Sequence, residues 1–186
     1  MGKYVAVNFL LYSYEKCMNI SIILYFKFKR DHMGDTLILN SAKEENACKI
    51  SVVTALTTPN LMKLFLFRNY NLPSHVQSHY DGTVRHKCWE AVRASSAAPV
   101  YYEDFKLDGH VFHDGGLLVN NPTAIALHES KQLWPTVKTN CIVSIGTGRF
   151  QPPGGLESTK ADSISLRSKV NRIIGGIGCP ESKYFI

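Results

Sequence analysis

The amino-acid sequence predicts an α/β domain with a mainly parallel sheet, on three observations. Two runs, KISVVTALTT (49–58) and CIVSIGTG (141–148), are apolar and β-branched with little polar alternation, the pattern of strands covered on both faces. A helix from about Pro122 to Leu133 lies between them, so part of the chain reads strand, helix, strand, as in a layered α/β fold. The second run opens directly into glycines, as central strands of such sheets do.

The first thirty residues fit neither period. NISIILYF (19–26) is apolar without alternation and stops at the basic KFKR (27–30), so 1–30 reads as a buried strand or as sequence foreign to the fold. From Asp31 the pattern is regular. The runs 49–58 and 61–70 are strands joined by a turn at Thr58-Pro59-Asn60. HKCWEAVRASSAA (86–98) is helix, with Trp89, Val92 and Ala91 on one face, and Pro99 stops it. Turns at Asp108-Gly109 and Gly115-Gly116 bracket one very short strand.

Asn121 is placed to cap the helix at 122–133, with Pro122 at its first position, where a missing N–H costs nothing. Ile125, Leu127, Leu133 and Trp134 supply its apolar side. The domain is expected to run over 31–150. After it, 151–163 is a Pro/Gly/polar linker, and Ser163 opens a basic amphipathic helix with Ile164, Leu166, Val170, Ile173 and Ile174 on its apolar face. Such a helix packs on the domain or rests on a membrane surface.

Composition excludes several classes of function. With 45% hydrophobic and 19% charged residues, the chain of 186 residues is globular rather than disordered. A formal charge of +6 suits acidic partners, yet no block of five or more basic residues is interleaved with aromatics, KFKR (27–30) being the nearest, which argues against nucleic acid and leaves anionic lipid head groups. Five cysteines, odd in number and without a C-x-x-C pair, read as reduced thiols of an intracellular protein, where Asn19-Ile20-Ser21 would go unglycosylated. A span over 4–28 would bury Glu15 and Lys16 at about 2.5–3.5 kcal/mol each, so no transmembrane helix is expected. Ala6 stands where a myristoylation signal needs Ser or Thr, and no signal-peptide cleavage site follows YVAVNFLLYSY (4–14).

Asp114 is the residue with chemical promise. A carboxylate at a strand end followed by Gly115 and Gly116 is open to close approach, which a general base requires; the alternative is an aspartate that merely accepts backbone N–H bonds in a turn. His75, His79, His86, His110 and His113 raise the question of a metal, but H-x-x-H at 110–113 lacks the helical spacing of zinc sites, and none is expected. IGTGRFQ has Gln151 where a dinucleotide loop needs its last glycine.

RASSAAP (93–99), HDGGLLVNNP (113–122) and SIGTGR (144–149), with FRNY (67–70) and HESKQLWP (128–135), resemble in order and spacing the patatin-like lipid acyl hydrolases, most nearly the calcium-independent phospholipase A2 of the gamma type. The resemblance implies a three-layer α/β sandwich around a mainly parallel sheet, with its N-terminal part absent here. It implies a Ser/Asp dyad that cleaves lipid esters without calcium or other cofactor. Asp114 is then the general base that deprotonates a serine, with Gly115, Gly116, Asn121, Pro122, Arg93, Ser95 and Ser96 as supporting residues. The implied partner is a phospholipid or other lipid ester at an intracellular organelle membrane (mitochondrial, endoplasmic-reticulum or peroxisomal), with peripheral attachment.

The departure is equally specific. No G-x-S-x-G occurs anywhere in the chain, nor a glycine-rich oxyanion loop ahead of it, so no nucleophile is found. Ser95 and Ser96 precede Pro99 without the sharp strand-to-helix turn that presents a reactive hydroxyl. The expectation is the C-terminal part of a catalytic domain, truncated so that the upstream segment with the nucleophile is missing, and inactive alone; the alternative is a non-catalytic lipid-binding or regulatory relative. A half-domain leaves unpaired sheet edges, which invites homo- or hetero-dimerisation.

Overall fold

The computed structural model describes residues 4–7, 33–43, 47–99 and 101–144, and one long strand organises them. Strand β1 (Tyr4–Val7), β2 (Lys49–Thr57), β3 (Met62–Arg68), β4 (Asp81–Thr83), β5 (Phe105–Leu107) and β6 (His110–Asp114) form one sheet in the order β4-β3-β2-β6-β5, with β1 also on β2. Helix α1 (Cys88–Ser95) lies between β4 and β5 in the chain, and α2 (Thr123–Leu133) follows β6.

The run at 49–58 is apolar throughout because β2 is covered on both faces. Val52 and Leu56 pack with Phe67, Phe112 and Ile38 against Ala91 and Ala94 of α1. Val53 packs on the other face with Leu66 and Ile125 of α2. Helix, sheet and helix make three layers, and the α/β class holds. The sheet itself is mixed, where a mainly parallel one was expected. β2 pairs antiparallel with β3 and β6, and β5 with β6; only β1–β2 and β3–β4 are parallel. For the β2–β3 and β5–β6 hairpins connection length is the reason: a parallel pair needs a crossover of a dozen or more residues, which neither has. In the first hairpin, Thr58 N–H and Oγ1 both donate to Leu61 O, at 2.9 and 2.7 Å. In the second, Asp108 and Gly109 take φ of 50° and 77°, the left-handed pair of a two-residue turn that matches strand twist.

Both helices are shorter than periodicity suggested. At the start of α1, Lys87 N–H donates to Glu90 Oε2 at 2.8 Å, while His86 O accepts from Ile38 N–H, which draws residue 86 out of the helix. Asn121 does cap α2, but from one residue further out: its Oδ1 accepts from Thr123 N–H at 3.1 Å and from Thr123 Oγ1 at 2.6 Å, leaving Pro122 just ahead of the helix.

The expected strand at 141–148 is not formed over its described part. Residues 141–144 are exposed and outside the sheet, with Ile142 and Val143 at 53% and 74% of full exposure. A strand needs a ladder partner, and here Ser144 Oγ instead meets Thr123 Oγ1 at 3.0 Å and Asn121 Nδ2 at 3.2 Å. Of the first thirty residues, Tyr4–Val7 join the sheet; 8–30, the linker and the amphipathic helix lie outside the described residues. Among those described, no helix is long and apolar enough to cross a membrane.

Candidate active site

Strand β6 ends its pairing with β2 at Asp114, which sits opposite Thr54. The peptide unit that leads into Asp114 is held at both ends. Thr54 Oγ1 donates to His113 O at 2.7 Å, and Asp114 N–H donates to Ala97 O at 2.9 Å. The carboxylate then folds back to accept from Gly116 N–H through Oδ1 at 2.7 Å. Among the described residues, Oδ2 accepts no hydrogen bond. Asp114 is 3% exposed, and burial pushes its carboxyl up from 3.8 to about 6, against the opposing pull of the Gly116 N–H.

Gly115 is required for proximity rather than for an unusual backbone angle, since neither it nor Gly116 has positive φ. A Cβ at residue 115 would overlap the Val53 carbonyl on β2. Because the clashing atoms are backbone in the central strand, Gly115→Ala is expected to destabilise the chain by about 1–3 kcal/mol or more, read as a lowered urea midpoint. A midpoint equal to wild type would show that β2 and the D-G-G turn can separate freely.

The other predicted residues divide. Ser95 and Ser96 are buried at 0% and 1% exposure, and Ser96 Oγ donates to Val92 O of α1 at 2.8 Å. Arg93, in the last turn of α1, reaches the connection that follows the helix: its NH2 donates to Glu103 O at 2.7 Å, and its guanidinium lies 5.5 Å from the Phe105 ring and 5.9 Å from that of Tyr102. Desolvation lowers its pKa, with Tyr102, Glu103 and Asp104 opposing. Asn121 holds the start of α2. His110 and His113 are three apart on β6 and face opposite sides of the sheet, so H-x-x-H cannot close on one ion. Among the described residues no group of three or more His, Cys, Asp or Glu is placed to hold a metal.

Sequence reasoning gave no role to Thr54, to the Ala97 carbonyl or to a buried cluster of Arg68, Tyr70 and Glu129, although FRNY and HESKQLWP hold the last three. Glu129 is 0% exposed and takes Arg68 Nε and NH2 at 2.7 and 3.0 Å and Tyr70 O–H at 2.7 Å. One signal was available: Glu129 lies four residues after Ile125, on the buried side of α2.

A profile of the patatin-like phospholipase family matches residues 19–127. Human calcium-independent phospholipase A2-gamma is 40% identical over 149 residues, covering 78% of this chain and 18% of its own length. Phospholipase A I of Arabidopsis thaliana is 35% identical over 147 residues, 63% of this chain and 11% of its own. The cGAMP-activated phospholipase of Vibrio cholerae is 41% identical over 63 residues, 32% of this chain and 17% of its own. The chain thus spans less than a fifth of the length of each of these relatives. A D-G-G aspartate at the end of a sheet strand, three layers around that sheet, and a family match across more than half the sequence converge: the chain belongs to the patatin-like phospholipase family.

Proposed function

We propose that this chain supplies the proton-accepting half of a Ser/Asp centre that hydrolyses acyl esters of phospholipids or related lipids. The observation that supports it is Asp114: a buried carboxylate with one oxygen anchored by Gly116 N–H and the other without a donor among the described residues. Such a group accepts a proton at Oδ2 while its orientation stays fixed. A serine hydroxyl brought to that oxygen loses its proton as its Oγ bonds to the ester carbonyl carbon. The alcohol or lysolipid leaves with a proton, and water, deprotonated by the same carboxylate, releases the fatty acid and restores the serine. The serine belongs to a G-x-S-x-G segment absent from this sequence, so the chain alone is inactive. The lipid is met at a membrane surface by peripheral contact, in keeping with the net charge of +6.

The missing nucleophile also favours a second reading, a non-catalytic lipid-binding relative. One experiment separates them. The chain, alone and fused behind the family's G-x-S-x-G segment, is given phospholipid vesicles in chelator and, in parallel, a serine-reactive fluorophosphonate probe. The fusion is expected to release fatty acid and take the label, and the isolated chain to do neither. A folded fusion that binds vesicles but shows neither reaction supports the second reading. Hydrolysis by the isolated chain with label on Ser95 or Ser96 overturns the assignment of the nucleophile to another segment.

A further inference from the structure

We propose that Thr54 is a positioning residue for Asp114, acting on the base through the peptide unit that carries it. This rests on the reading of Asp114 as the base. Thr54 is a polar residue on an apolar face: Val52 and Leu56, its neighbours on the α1 side of β2, belong to the core, and Thr54 itself is 0% exposed. A valine of nearly the same shape would fill that space without a hydroxyl to satisfy, so a threonine there needs a use. Its one hydroxyl proton goes to His113 O at 2.7 Å, with Ala94 O as a more distant second acceptor at 3.2 Å.

The use is visible in what that carbonyl belongs to. The peptide plane between residues 113 and 114 has two polar groups, and each is taken by a different element. β2 holds its C=O through Thr54, and the connection after α1 holds its N–H through Ala97 O, at 2.9 Å. The following residue, Gly115, is pressed against the Val53 carbonyl, which leaves the backbone on the far side of Asp114 little room to rotate. With the planes on both sides constrained, the direction of the Asp114 Cα–Cβ bond is set before any substrate arrives, and Gly116 N–H sets its rotamer. Thr54 is the side-chain member of this clamp, and it reaches from the sheet to the end of α1 as well.

The test uses Thr54→Val, which keeps the shape, and Thr54→Ser, which keeps the hydroxyl, in the full chain. Amide hydrogen exchange at Asp114 and Gly116 is compared with that of the β2–β3 ladder. Thr54→Val is expected to speed exchange at Asp114 and Gly116 by about tenfold relative to the ladder, the worth of one buried hydrogen bond, and Thr54→Ser to stay within about twofold of wild type. Uniform acceleration at all these amides would reduce Thr54 to a stability residue, and no acceleration would remove it from the clamp; either overturns the proposal. In the nucleophile-bearing fusion, Thr54→Val is expected to lower kcat about tenfold at unchanged KM, with Thr54→Ser restoring most of it. A change in KM alone counts against positioning. If Asp114→Asn is as active as the parent fusion, the reading of the base has failed, and the exchange measurement still decides what Thr54 holds.

Discussion

Asp114→Asn in the nucleophile-bearing fusion is expected to cost about 10²–10⁴-fold in kcat, the range for loss of a positioned general base, while making the protein more stable above pH 6. Both effects come from one carboxylate. Burial raises its pKa from 3.8 to about 6, so the folded chain binds this proton more tightly than the unfolded chain. Below about pH 4 the group is protonated in both states and costs nothing. As pH rises towards 6, the unfolded chain releases the proton first, so stability falls; above 6 both are ionised and the loss is constant. A shift of about two units corresponds to about 3 kcal/mol. Asparagine keeps an oxygen for Gly116 N–H but adds a donor that needs its own partner, so the net gain at pH 8 is expected to be about 1–3 kcal/mol and to vanish near pH 4. In the active fusion, the rate should rise with pH through about 6 as Asp114 ionises. Urea melts at the two pH values and a pH–rate profile check these points. A variant no more stable at pH 8 than wild type would show that the carboxylate is not strained by burial, and a rate that falls through pH 6 would rule out its acting as an ionised base.

The same residues show where sequence could be read and where it could not. Apolar runs, turn dipeptides and a well-placed Asn-Pro pair locate β2, β3, β6 and both helices, because each signal is local. The D-G-G turn was legible for the same reason, but the need for Gly115 was not: it lies in the Val53 carbonyl, more than sixty positions earlier in the chain, rather than in a left-handed backbone. Sheet direction was misread because an all-apolar strand records only that both faces are covered. It does not record which way the neighbours run. The failed strand at 141–144 has the right composition, but composition supplies no ladder partner, and among the described residues none pairs with it. Thr54 looked like one threonine among several in KISVVTALTT. Its importance depends on which carbonyl it faces, and that is a property of the β2–β6 register.

Glu129→Ala is expected to be the most damaging stability change, at about 3–5 kcal/mol, because it leaves the Arg68 guanidinium buried and uncompensated. Burial by itself would lower the Arg68 pKa, but the hydrogen bond and charge of Glu129, with Tyr70, hold it above its ordinary value, so the arginine stays charged and must be paired. The guanidinium also donates through NH2 to Ser78 Oγ at 2.9 Å and Tyr80 O at 3.2 Å, so one carboxylate on α2 orders β3 and the connection to β4. Against a typical domain stability of about 5–15 kcal/mol, this loss removes most of the stability at the lower end of the range and about a third at the upper end. The double variant Arg68→Met, Glu129→Leu removes both charges and is expected to recover more than half of the loss, since apolar groups of similar volume often replace a buried pair without penalty. Urea denaturation of the single and double variants decides the matter: if Glu129→Ala melts with wild type, the pair is solvated in solution. If instead the double variant is as unstable as the single one, the bonds to Tyr70, Ser78 and Tyr80 carry the energy. The site depends on that outcome, because α2 begins nine residues after Asp114 and Ile125 packs it against the sheet that carries the base.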